Sequence, residues 1–291
     1  MFRNEIKKTL VLSVPIVVGQ LGQMLMSVVD NIMVGKVGTQ ALAAASIANS
    51  LFMLIMVVGF GLTVAVTPLT AIAYGSGKDE ECGIVLRQGI LLNLFFGILL
   101  CGVTYFLSEC IQFLNQPPEI VDSASLYMKV LGFSMLPLML FQSYRQFAEG
   151  VSFLKPAMII TLLANIVNIL ANWIFIYGNL GVAPLGLTGA GIATISSRTF
   201  MAMALMFIII KSSKMKRFDP SLNYRKIDFS MMRRLLAIGI PAGFQYFFEV
   251  SAFSASAIMV GWMGTIPLAA HQIALNLASI SFMVAMGISS A

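Results

Sequence analysis

Residues 27–35 read SVVDNIMVG, and residues 258–261 repeat the IMVG at the end of that stretch. Sliding the chain by 226 positions lays one copy on the other, and the match extends in both directions. Pro15 falls on Pro241, Gly38 and Thr39 fall on Gly264 and Thr265, and Leu42, Ala43 and Ala44 fall on Leu268, Ala269 and Ala270. Farther along, Ile47, Ala48, Leu51, Val58, Gly61 and Ala65 meet Ile273, Ala274, Leu277, Val284, Gly287 and Ala291. Without a gap, 17 of the 56 positions from 10 to 65 are identical to their counterparts. Shared apolar composition alone would give fewer, and it would not align the glycines and prolines as well.

What repeats is membrane-spanning sequence. Of the 291 residues, 58% are hydrophobic and 10% charged, and the mean hydropathy is +0.91. Soluble domains carry about 25% charged residues, so this composition excludes one. Eight apolar segments can be drawn, at 9–34, 41–73, 84–108, 121–147, 156–178, 186–210, 231–262 and 266–291. Each is long enough to cross a hydrocarbon core of about 30 Å as a helix, and none alternates as a barrel strand would. The fold class is therefore an all-α polytopic membrane protein. No cleavable leader is expected, because the first apolar run continues well past signal length. Cys82, Cys101 and Cys110 have neither metal nor CxxC spacing.

Six segments separate the two copies, an even number, so both enter the membrane in the same direction. Parallel repeats of this kind are related by an axis along the membrane normal and usually flank a central path. Residues 1–210 read as a six-helix N-lobe, 211–230 as a linker and 231–291 as the first two helices of a C-lobe. Because Ala291 aligns with Ala65, about 161 residues and four helices of a second copy are expected beyond it, and the chain alone is expected not to transport.

The net charge of +6 reflects topology, and no nucleic-acid partner is expected. If the N-terminus is cytoplasmic, 15 of the 18 basic residues fall in cytoplasmic stretches, eight of them between Lys211 and Arg234. The opposite loops carry only Lys36, while Lys129 and Arg198 lie within segments. That bias sets the N-terminus inside.

Nearly all twelve acidic residues lie in loops or at segment ends, with Glu149 four residues from Arg145 at a cytoplasmic helix end. Asp30 and Glu249 are the two inside segments. An ionised side chain at mid-bilayer costs about 2.5–3.5 kcal/mol on insertion scales, so such groups normally face a polar cavity and mark an ion or substrate path. Gln23 lies two helical turns before Asp30 and shares its face, and the repeat aligns Gln23 with Glu249. In ANIVNILANW, Asn165, Asn168 and Asn172 form one stripe at i, i+3 and i+7; they either line a path or join helices. Thr194 either adds a hydroxyl to such a path or bonds its own backbone. Pro15, Pro68, Pro137 and Pro241 interrupt helices, and Pro15 and Pro241 share a repeat position that suits bending during gating. His271, the only histidine, opens the eighth segment and reads as an interfacial or packing residue. No phosphate-cradling loop, zinc spacing or nucleophile–base constellation appears, so no enzyme, catalytic residue or resident cofactor is expected.

In order and spacing, P…VVDNIMVG…ALAA, TPLTAIAYGSGK, YRQFAEG…KPAM, NIVNILANWIFIYG, GLTGAGIATISSR and P…FFEV…AAHQIALN resemble the multidrug and toxic compound extrusion (MATE) transporters, especially their NorM-like branch. The resemblance covers essentially the whole chain. It implies two six-helix lobes that export organic cations in exchange for Na⁺ or H⁺ by alternating access, in a cytoplasmic membrane and as a monomer. By the same resemblance Asp30 is the N-lobe's cation-coupling carboxylate. Asn168 and Asn172 match a fifth-helix pair whose second member is often aspartate, and Thr194 resembles the sixth-helix hydroxyl. Glu249 resembles a C-lobe Na⁺ ligand whose acidic partner is expected in a later helix, and Asp30 is the N-lobe candidate for Na⁺. A lipid-linked oligosaccharide flippase of the same superfamily and a non-transporting membrane protein are the alternatives. The first would be expected to carry a more cationic central cavity, whereas the only basic residue well inside a segment is Arg198; the repeat and the two buried acids oppose the second.

Overall fold

The computed structural model describes residues 2–114, 117–219 and 227–261 together with Ala274 and Ala278, and its side chains from Ser13 onward. The described residues form nine α-helices: α1 (Phe2–Gly35), α2 (Thr39–Val64), α3 (Val66–Gly75), α4 (Asp79–Cys110), α5 (Pro118–Phe133), α6 (Met135–Gly150), α7 (Leu154–Phe175), α8 (Gly186–Lys211) and α9 (Phe229–Gly261). They make seven apolar spans, with α2–α3 and α5–α6 each forming one. The eighth predicted segment, with His271, lies outside the described residues.

The two divided spans obey one rule. α2 ends at Val64, four residues before Pro68, and α5 ends at Phe133, four residues before Pro137. A proline ring clashes with the carbonyl four positions back and offers it no N–H, so the helix breaks there. At the second break the Ser134 N–H reaches back only three residues to Leu131 O, 2.9 Å away, before α-type bonding resumes with Leu138 N to Ser134 O at 3.1 Å. By contrast α1 and α9 run through Pro15 and Pro241 without a break.

Polar residues set helix ends that hydropathy misplaces by several residues. Asp79, Glu80 and Glu81 fill the first turn of α4, where the helix dipole favours negative charge, so α4 starts five residues before its apolar run. Asp228 caps α9 by accepting the Met231 N–H at 3.0 Å, which starts that helix at Phe229.

Neighbouring helices close on glycines. A Cβ at Gly189 would collide with the Phe175 carbonyl at the end of α7, and one at Gly61 would collide with the Gly243 backbone. Gly61 thus lets α2 meet the Gly239-x-x-x-Gly243 face of α9 with no side chain between them. Lipid-facing positions carry the large exposed side chains, among them Phe95, Phe106 and Leu170. Lys129, on α5, bonds Glu109 at 2.5 Å and lies over the Tyr105 ring, carrying its charge toward the end of α4.

Inside, the buried apolar side chains form two clusters. One gathers Phe141, Tyr144, Phe147, Met201 and Phe218, and the other Ala48, Phe52, Tyr127, Met128 and Met135. The first is sealed by the segment after α8. Phe218, 1% exposed, meets the Tyr74 and Phe147 rings edge-on at 6.0 and 5.8 Å, and Arg87 bonds the Asp219 carbonyl at 2.9 Å. Phe218→Ala is expected to cost about 3 kcal/mol and to undock this segment. Trypsin cleavage at Lys216 and Arg217 should accelerate several-fold; an unchanged rate would show that the ring does not anchor it.

Candidate functional site

α1 carries Asp30, and its position is fixed by close approach to α7. A Cβ at Gly22 would stand 3.2 Å from Thr161 Cγ2, so glycine lets the two helices touch. Asn165 then uses its Nδ2 to donate to Gly22 O and to Thr161 O, both at 2.9 Å. The first asparagine of the stripe is therefore engaged in joining α1 to α7, and it does not line the cavity described below.

One and two turns farther along α7, Asn168 and Asn172 are both 0% exposed. Asn172 Nδ2 donates to Asp30 Oδ1 at 2.5 Å and to Asn168 Oδ1 at 3.1 Å. On the third side, Thr194 of α8 bonds its own helix at Ala190 O, 3.0 Å away, and reaches Asp30 Oδ2 at only 3.5 Å. Asp30 Oδ2 is thus the less engaged oxygen of the carboxylate. Buried within the same cluster, Asn172 Oδ1 has no hydrogen-bond partner, and the Asn168 amide lies beside the Asp30 carboxylate. Unspent polar atoms in a dry interior cost free energy unless something polar or charged occupies the site. A carboxylate oxygen beside a free amide oxygen is the donor set a hard monovalent cation takes, and the same carboxylate can hold a proton instead.

Asp30 opens on a cavity of about 210 Å³ at the seam of the two apolar clusters. Gln23 and Thr194 line it with Asp30, whereas Asn168 and Asn172 stand behind Asp30. Glu249, on α9, is not among its lining residues, nor are Pro15 and Pro241. Pro15 lies instead beside Arg145 and Glu149, which pair at 2.8 Å with little exposure.

Polar groups of the cavity wall that were not among the candidates from sequence include Asn49, Tyr127 and Arg198. Tyr127, 2% exposed, faces the cavity from α5 with Asn49 beside its hydroxyl. Arg198 enters from α8, one turn after Thr194. Its Nη1 donates to Ser134 Oγ at 2.5 Å, its Nη2 approaches Met56 Sδ at 3.9 Å, and its guanidinium lies 5.4 Å from the Phe52 ring centre. Ser134 is the residue at the Pro137-induced break. The i, i+4 spacing from Thr194 was a signal for Arg198; Tyr127 and Ser134 had none.

Comparison with known proteins follows the same lines. The MatE family model matches residues 15–174 and 241–291. The multidrug resistance protein NorM of Photobacterium profundum is 31% identical over 287 residues, covering 99% of this chain and 63% of its own length. The multidrug resistance protein MdtK of Yersinia pestis is 34% identical over 288 residues, with 99% and 63% covered. The chain therefore spans just under two thirds of the length of these relatives. Among solved structures, an outward-facing multidrug resistance MATE family transporter of the MOP superfamily superposes with a TM-score of 0.85 at 21% identity, covering 97% of this chain and 62% of that one. The eukaryotic MATE transporter AtDTX14 gives 0.86 at 20% identity, with 99% and 64% covered.

Proposed function

Because the chain belongs to the MatE family, we propose that it forms the N-lobe, the linker and the start of the C-lobe of an antiporter that exports organic cations in exchange for Na⁺ or H⁺. In this reading the polypeptide works as a monomer in the cytoplasmic membrane, its N-terminus and linker on the cytoplasmic side, and has no enzymatic activity. The observation that carries the coupling is the Asp30 carboxylate, held by Asn172 at 2.5 Å on the wall of a cavity lined otherwise by methionines, aromatics and a few polar groups. Methionine and aromatic side chains adapt to flat apolar ligands, and one carboxylate can neutralise one cation at a time. Organic cation and coupling ion then exclude each other at Asp30, and that negative linkage is what exchange requires. Glu249 on α9 is the C-lobe candidate; its repeat partner is Gln23, while Asp30 falls on Ser256.

The test is ethidium efflux in vesicles, under separate sodium and proton gradients, from a polypeptide extended to the length of its relatives. One gradient should drive efflux, Asp30→Asn should abolish it, and Glu249→Gln should reduce it. If both variants transport like the parent, the coupling assignment is wrong.

A further inference from the structure

We infer that the Arg198 guanidinium is a receptor for carboxylate groups, so that the cavity also takes amphipathic aromatic acids. The inference rests on the transport reading above, because it assigns a further ligand class to the same cavity.

A charged side chain inside a membrane bundle is ordinarily paired with an opposite charge. Arg198 is not: among the described residues no carboxylate forms an ion pair with it. Asp30 lies within electrostatic reach but keeps to Asn172 and Thr194. A guanidinium has five N–H donors in a rigid fork. Ser134 takes one, and the Met56 sulfur is a weak acceptor for another, which leaves at least three without a strong partner.

The fork is also oriented in advance. Ser134 donates its own proton to Leu131 O at 2.6 Å, so its oxygen is free to accept from Arg198, and the Phe52 ring covers one face of the guanidinium. A planar, pre-oriented fork with spare donors, walled by Met53, Met56 and Phe60, matches an aromatic carboxylate: two parallel N–H···O bonds at one end and an apolar ring at the other. At about 210 Å³ the space is smaller than the about 300–1,000 Å³ that encloses a whole drug-sized ligand, so it suits one ring system and its acidic group.

The two charges give the two ligand classes opposite ion dependence. With a cation or proton neutralising Asp30, Arg198 is left as the one uncompensated charge among the described residues that line the cavity. Coupling ions therefore strengthen the binding of an aromatic acid and weaken that of an organic cation.

The experiment measures equilibrium binding of 2-naphthoate, its neutral isostere 2-naphthamide, and ethidium to the purified chain in lipid nanodiscs. Arg198→Gln should weaken naphthoate at least about tenfold while strengthening ethidium, and naphthamide should bind poorly throughout. Arg198→Lys should retain part of the naphthoate affinity, since it keeps the charge without the fork. Asp30→Asn should tighten naphthoate and weaken ethidium. Ethidium binding by Arg198→Gln shows that this variant is folded. If naphthoate binds Arg198→Gln as well as wild type, or binds wild type no better than naphthamide does, the inference is overturned while the transport reading stands. If ethidium binding ignores Asp30→Asn, the transport reading falls, and the naphthoate result still decides the role of Arg198.

Discussion

Asp30→Asn is expected to lower the affinity of the chain for its coupling cation by at least about 100-fold, the equivalent of about 2.7 kcal/mol. The variant is nearly isosteric and keeps hydrogen-bonding capacity toward Asn172, so packing should survive while the charge does not. Removing charge from one side of a buried, hydrogen-bonded ion contact costs about 2–5 kcal/mol. The readout is ethidium affinity of the purified chain across sodium concentrations and pH. Wild type should show competition from one of the two ions, and Asp30→Asn should show none.

The geometry also orders the neighbouring positions. Asn172→Leu keeps the carboxylate but removes its 2.5 Å bond, and should cost about tenfold, as expected for a hydrogen bond to a charged group. Thr194→Val should cost about threefold or less, since that hydroxyl is satisfied by Ala190 O and stands 3.5 Å from Asp30. A Thr194→Val loss as large as that of Asp30→Asn would sink this reading of the cluster.

Gly61→Leu is expected to have the largest effect on stability. Even a Cβ at this position would collide with the Gly243 backbone, and no rotamer relieves a clash with main chain. Overpacking usually costs about 1–3 kcal/mol; here α9 as a whole must retreat from α2, so about 3 kcal/mol or more is expected. Gly102→Ala is the contrast, because a Cβ there meets nothing within 4 Å and alanine favours helix by about 1 kcal/mol. Thermal unfolding in detergent should separate the two variants clearly. Equal transition temperatures would mean that the α2–α9 contact contributes little.

Much of this architecture was legible before any coordinates. Seven spans follow from hydropathy because a backbone in lipid has few alternatives to helix. Pro68 and Pro137 lie four residues past both breaks, but Pro15 and Pro241 read the same way in sequence and leave α1 and α9 unbroken, so proline alone did not locate the divided spans. Helix starts were less legible: Asp228 and the Asp79–Glu81 run act through capping and dipole terms that hydropathy does not count. Within the site, the 3.6-residue period placed Asn165, Asn168 and Asn172 on one stripe, but it could not tell that Asn165 turns to Gly22 while Asn172 turns to Asp30. That division depends on where α1 crosses α7, which Gly22 decides through contact. Arg198 was countable from Thr194, yet with Lys36 and Lys129 it was one of three exceptions to the loop charge bias, and nothing in the sequence set it apart as a site residue. Tyr127 reaches the cavity and Ser134 reaches Arg198 through the mutual rotation of packed helices, for which a single sequence carries no local signal.

The tight turn at Ser134 has a geometric consequence for recognition. A backbone bonded to the third residue advances about 120° per residue where an α-helix advances about 100°, so the break shifts the angular phase of α6 relative to α5. Tyr127 and Leu131 precede that shift and Leu138 follows it, yet all three face the same space. In a single continuous helix the three positions, at i, i+4 and i+11, would share a face to within about 20° either side of its middle, so the break leaves that face in place. What the break adds is a joint in an otherwise unbroken wall, and the residue at that joint, Ser134, is the one that holds Arg198.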